Sequence, residues 1–192
     1  NPTPIINTAG GGNLTIGTLG ITPVAGFTSV VNAGTGTITL GGDVTFNAAT
    51  TGQAQITGTA LSLGAASRNF IVGRGTSAGQ DLLIDAQITG ASRMLTKSGA
   101  GRLTLSNANN YSGGTTVSAG SLLLSGAFDM PTTGTLAVST GGAFSLADGT
   151  ARALHHRDRQ LDRARALVDR HLAGAHLRLG VTALPEVRPQ SI

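Results

Sequence analysis

Cysteine is absent from the 192 residues, which excludes disulfides and thiolate metal sites. Export is still open to such a chain, because not every exported protein carries bridges. Aromatic residues make up only 3% of the chain and charged residues 11%. With so few rings, the core must be built from Val, Ile, Leu and Ala, leaving Thr, Ser and Asn for the outside. No apolar run approaches the roughly 20 residues that span a membrane as a helix. The start shows no charged segment followed by an apolar one, as a signal peptide would. Asn1 in place of Met suggests a fragment or a processed chain, with any export signal upstream.

What is abundant is Gly, 29 residues, and Thr, and neither is spread evenly. Residues 1–150 hold 27 of the Gly and all but one of the Thr, and their five Lys/Arg are balanced by five Asp. Residues 151–192 hold eight Arg, four acidic residues and all four His, so the net charge of +4 comes from this tail. The basic balance is therefore no sign of nucleic-acid binding by the body, which also lacks the interleaved aromatics that stack bases. The composition divides the chain into a body, 1–150, and an atypical tail, 151–192.

Short alternating runs recur along the body. They are Asn13–Leu19, Gly36–Leu40, Asp43–Ala48, Ala54–Gly64, Asn69–Gly73, Asp81–Gly90, Arg102–Ser106, Thr115–Leu124, Gly134–Ser139 and Gly142–Ala147. Period-two alternation bounded by Gly, Asn, Ser or Thr marks strands. A sandwich, a barrel or a β-solenoid would suit their spacing. Tight hairpin dipeptides do not dominate the turns, and small aliphatic residues recur in similar local settings. Both features favour stacked coils, in which like residues lie over like and an aliphatic ladder fills the core. Coils of roughly 20–25 residues would give about six or seven in the body.

The stretch from Leu95 to Leu124 carries a more specific signal. It has Lys97, Gly99 and Gly101, then Leu103–Ser106, Asn109–Tyr111, Gly113–Val117, Gly120 and Leu122–Leu124. This series resembles the autotransporter-associated β-strand repeat, also called the passenger-associated transport repeat. Arg102 and Asn107 depart from the usual small polar residue and Gly. The resemblance implies a right-handed parallel β-helix exported to the bacterial surface, as part of a passenger that normally precedes a C-terminal translocator barrel. Its expected partners are flanking β-helix coils and that barrel, which is not among these residues. Within the motif, Tyr111 is expected to pack over a corner, Gly113 and Gly114 to let the chain turn between faces, and Lys97 to be a solvated strand-edge charge.

The tail breaks with the body. From Ala153 to Gly180, Arg, His and Leu dominate. Plausible codons read one base later, from Leu154 onward, again permit alternating Thr-rich, Gly-punctuated sequence, as a frameshift would leave. The other reading is a genuine terminal helix, with Leu154, Leu161, Val168 and Ala175 at sevenfold spacing and charges at i,i+4. His171 and His176 are badly placed around a helix for one metal, and no carboxylate completes a set.

Catalytic constellations are scarce. The body has no His, so no Ser-His-Asp arrangement forms there. Asp81 and Asp85 are four apart and can in principle share a face for acid–base work, but solvated wall charges are the plainer reading. Arg68, Arg74 and Arg93 are scattered, with nothing in the sequence marking a cleft. Ala9–Asn13 lacks the Gly-Lys-Ser/Thr of a phosphate loop, and the glycosylation patterns at Asn13 and Asn110 are common by chance. No cofactor or metal is expected. The expected function is that of a non-catalytic stalk segment of a secreted or surface-exposed passenger. The alternatives are an adhesin or glycan-binding module meeting surface glycans or neighbouring cells, and, more remotely, a polysaccharide-cleaving β-helix.

Overall fold

The computed structural model describes residues 4–7, 11–47, 51–76, 81–125 and 134–147. The tail readings, frameshift or terminal helix, lie outside the described residues. Every strand pairing is parallel, and each strand pairs with the strands one coil before and after it. The chain therefore winds as a β-solenoid, as the repeated alternation and the resemblance both indicated.

Five coils carry three strands each. The first holds β1 (Pro4–Asn7), β2 (Leu14–Ile16) and β3 (Leu19–Ile21). The second holds β4 (Thr28–Asn32), β5 (Thr37–Leu40) and β6 (Val44–Phe46), and the third β7 (Gln53–Thr57), β8 (Ala60–Ser62) and β9 (Arg68–Val72). The fourth holds β10 (Leu82–Ile84), β11 (Gln87–Gly90) and β12 (Leu95–Ser98), and the fifth β13 (Arg102–Leu105), β14 (Asn110–Tyr111) and β15 (Thr115–Val117). Further winding is given by β16 (Gly120–Leu124), β17 (Leu136–Val138) and β18 (Gly142–Leu146). The strands stack into three sheets of seven, five and six strands. Five complete coils are thus described, fewer than the six or seven expected.

Coil length varies. Thr28 pairs with Gln53, Ala54 with Leu82, Leu82 with Leu103 and Arg102 with Ser121, separations of 25, 28, 21 and 19 residues. The extra length is taken up outside the strands, so register is kept while the corners change.

Register explains the sequence. In the first sheet Val31, Ile56, Ile84, Leu105, Leu124 and Leu146 stand side by side, one per coil. The first five of them are buried. A parallel sheet places identical backbone positions above one another, about 4.8 Å apart, so one inward column needs one kind of side chain. Each such Leu or Ile removed from water contributes about 1.5–3 kcal/mol. On the outside, Thr15, Thr39, Ser62, Thr89 and Asn110 form the matching polar row of the second sheet.

Candidate functional site

The buried charged side chains of the described residues bond main-chain groups at corners, where strands end and carbonyls lose their ladder partners. Two of these corners were misjudged from sequence, each by reading charge as exposure.

Lys97 is the first correction. It is fully buried, and it stands in an inward column with Leu19, Val44, Phe70, Val117 and Val138. Its stem fills one step of that column, and its ammonium reaches the corner that follows. Lys97 Nζ donates to the carbonyls of Ser98 and Gly99, both at 2.8 Å, and of Ala119 at 3.0 Å. Three donors meet three acceptors on two successive coils, so the side chain staples the corner of one coil to the next. The strand-edge reading failed because alternation already put Lys97 in phase with buried Leu95, and charge was allowed to overrule phase.

Asp81 is the second. It is 1% exposed, not a solvated wall charge. Its Oδ1 accepts from Gly75 N at 2.8 Å and its Oδ2 from Arg102 N at 2.7 Å. Arg74 approaches Oδ2 at 3.7 Å from a half-exposed position. Asp85, by contrast, is exposed and accepts from the Ser106 hydroxyl at 2.6 Å. The two carboxylates therefore have separate tasks. With Asp81 already committed to two backbone N–H groups, the pair is not arranged for acid–base work.

Arg68 is buried as well, its Nε donating to Leu63 O at 2.8 Å and its Nη2 to Leu40 O at 2.6 Å. It repeats the Lys97 device at another corner, again tying two coils through carbonyls. Tyr111 is fully buried, and its hydroxyl lies 2.6 Å from that of Thr115. It packs inside the corner between β14 and β15. Gly114 makes the turn there with φ +102, as the motif suggested.

Burial lowers the Lys97 ammonium to about 8 from its ordinary 10.5, with the Asp81 carboxylate pulling the other way. Burial pushes the Tyr111 phenol up to about 12, opposed by its bond to Thr115. The two act in different windows. Between about pH 8 and 10.5 the unfolded chain holds the Lys97 proton more tightly than the folded one, so stability rises with pH. Above about pH 10 the unfolded chain loses its Tyr111 proton first, so stability falls. Denaturant titrations from pH 7 to 11 should therefore show stability climbing above pH 8 and turning down beyond about pH 10. The climb should vanish in Lys97→Met.

Nothing in the sequence marked a cleft, and the structure places Arg93 at one. It borders a groove of about 560 Å³ on the outer side of the second sheet, with Ser62, Thr89, Asn110 and Ser112. The groove was illegible because its members come from three coils of unequal length. Among the described residues no three His, Cys, Asp or Glu are grouped as a metal would require.

Comparison with known proteins places a family at the Lys97 corner. Residues 95–124 match the family model described as Passenger-associated-transport-repeat, the same bounds as the resemblance seen in the sequence. No curated protein matches the chain, and no solved structure does.

Proposed function

We infer that this chain is a length of stiff, non-catalytic shaft in the exported passenger of an autotransporter-type protein. The matched repeat and the parallel solenoid support a passenger-type structural role, and that repeat family implies a surface or secreted location. One observation carries the finer reading. Buried charges here serve the backbone: Lys97, Arg68 and Asp81 hold main-chain groups of neighbouring coils in register. Side chains so committed stiffen a rod, and their polar atoms are taken up by the backbone.

Stiffness follows from the ladders. Bending or shearing the rod separates strands of adjacent coils, and each coil contributes three parallel sets of hydrogen bonds. An elongated shaft of this kind carries whatever is attached beyond it away from the cell.

The experiment is surface exposure combined with turnover. Antibodies raised against this chain should label intact cells that make the parent protein, and the purified chain should release no unsaturated or reducing ends from uronate polymers. Labelling that requires permeabilised cells would remove the passenger reading, and sugar release would remove the non-catalytic one.

A further inference from the structure

We propose that the groove beside Arg93 binds an acidic saccharide, with a carboxylate or sulfate group held by the Arg93 guanidinium. The inference does not rest on the shaft reading.

Charge is the first support. Of the basic residues of the body, Arg68 and Lys97 donate to carbonyls, Arg74 pairs with Asp81, and Arg102 lies outside the groove. Among the described residues nothing accepts from the Arg93 guanidinium, and no carboxylate lines its groove. A guanidinium left in a concave, partly shielded place is matched by an anion brought from outside, through hydrogen bonds stronger than neutral ones.

Placement is the second. Arg93 closes a turn, donating its N–H to Gly90 O at 3.2 Å. Within that turn Ser92 has φ 57, and it is the one non-glycine left-handed residue among the described residues. That conformation is disfavoured for any side chain, and such outliers persist mainly where surrounding structure and function demand them. Ser92 N donates to the Ser112 hydroxyl at 2.7 Å, fastening the turn to the next coil. A Cβ on Gly90 would lie 3.2 Å from Arg93 Cβ and 3.3 Å from its Cγ. The arginine stem thus passes close to a bare α-carbon, where any larger residue would crowd it.

The floor is the third. Ser62, Thr89 and Asn110 are register neighbours on three successive strands. Their hydroxyl and amide groups both donate and accept, as the hydroxyls of a sugar chain lying along the solenoid axis require. The segments that lead from the second sheet to the third shorten from 63–67 to 91–94 to 112–114, and this recession opens the groove. Its lining has no ring on which a base could stack, which favours a saccharide over single-stranded nucleic acid.

The test is calorimetric titration of the full chain with four probes: an oligogalacturonate, a heparin-derived oligosaccharide, a neutral dextran oligomer and an oligothymidylate. One acidic saccharide should bind, more weakly as salt is raised, and which one tells carboxylate from sulfate. Arg93→Ala should lower its affinity about tenfold or more, and Arg93→Lys should keep part of it. Asn110→Ala, on the exposed floor, should cost about threefold, with circular dichroism and melting unchanged in all three variants. The proposal is overturned by equal binding of dextran, by tighter binding of oligothymidylate, by unchanged affinity in Arg93→Ala, or by no binding of any probe. Each of those failures leaves the shaft reading intact.

Discussion

Asp81→Ala should cost the fold about 3–5 kcal/mol, because two backbone N–H groups lose a buried charged acceptor. The carboxylate accepts from Gly75 N and Arg102 N, and its charge favours the Lys97 ammonium against the effect of burial. Alanine leaves two N–H groups without an acceptor and removes the charge that favours the Lys97 ammonium. Asparagine restores less than its shape suggests, since its amide nitrogen cannot accept from either N–H. The Arg74 contact is the minor part: it is 3.7 Å long and half exposed, so Arg74→Ala should cost about 1 kcal/mol or less. Thermal melts of the two variants separate the contributions. For a chain this size, each kcal/mol moves the midpoint by about 2–4 °C. A midpoint for Asp81→Ala within about 2 °C of the parent would show that the corner holds without it.

Gly120→Ala is the second large effect, expected at about 3 kcal/mol or more from backbone strain and overpacking together. Gly120 has φ +66, and a Cβ there would collide with the carbonyl oxygens of Gly99 and Gly101. Those carbonyls belong to the backbone of the preceding coil, so no side chain can swing aside to make room. The Gly101 position is closed in the same way by Gly73, one coil further back. Close approach at this corner is what lets the Lys97 ammonium touch two coils at once. Melting and denaturant titration of Gly120→Ala read the loss directly. A variant as stable as the parent would mean that the coils are not in contact there.

How far these features were legible depends on what each signal reports. Alternation reports which side of a strand faces in, and it marked most of the strands. It did not report corners. Asp81–Gly90 read as one run because its phase continues through Asp85 and Ala86, where the chain passes from β10 to β11 without a Gly or Pro. Ala54–Gly64 and Thr115–Leu124 were fused in the same way, each spanning two strands in different sheets. β14, with two residues, is too short for any period to show.

The buried charges were missed for a different reason. Charge type argues for exposure, and it outweighed the phase of Lys97 with Leu95. A corner reverses that argument, since carbonyls that leave the ladder need donors and a cation supplies several. The Lys-x-Gly-x-Gly order held the signal: a donor in phase with the core, followed by glycines that bring backbone close. The groove had no comparable signal. Arg93 and Ser62 meet only because the third and fourth coils have particular lengths, and those lengths are set by corners that composition does not encode.

The central claim is that residues one coil apart lie side by side, so that axial distance grows with coil number and not with sequence separation. The chain has no cysteine, so spin labels can be placed at will. Val30, Gln55, Leu83, Thr104, Leu123 and Ser145 are successive neighbours across the first sheet. At about 4.8 Å per strand, Gln55 and Ser145 should lie roughly 19 Å apart and Val30 and Ser145 roughly 24 Å apart. Electron–electron distance measurements on the two doubly labelled chains should give separations near these values, differing by about one strand spacing. A Val30–Ser145 distance equal to or shorter than the Gln55–Ser145 distance would mean that the strands fold back on one another, and the solenoid would be wrong.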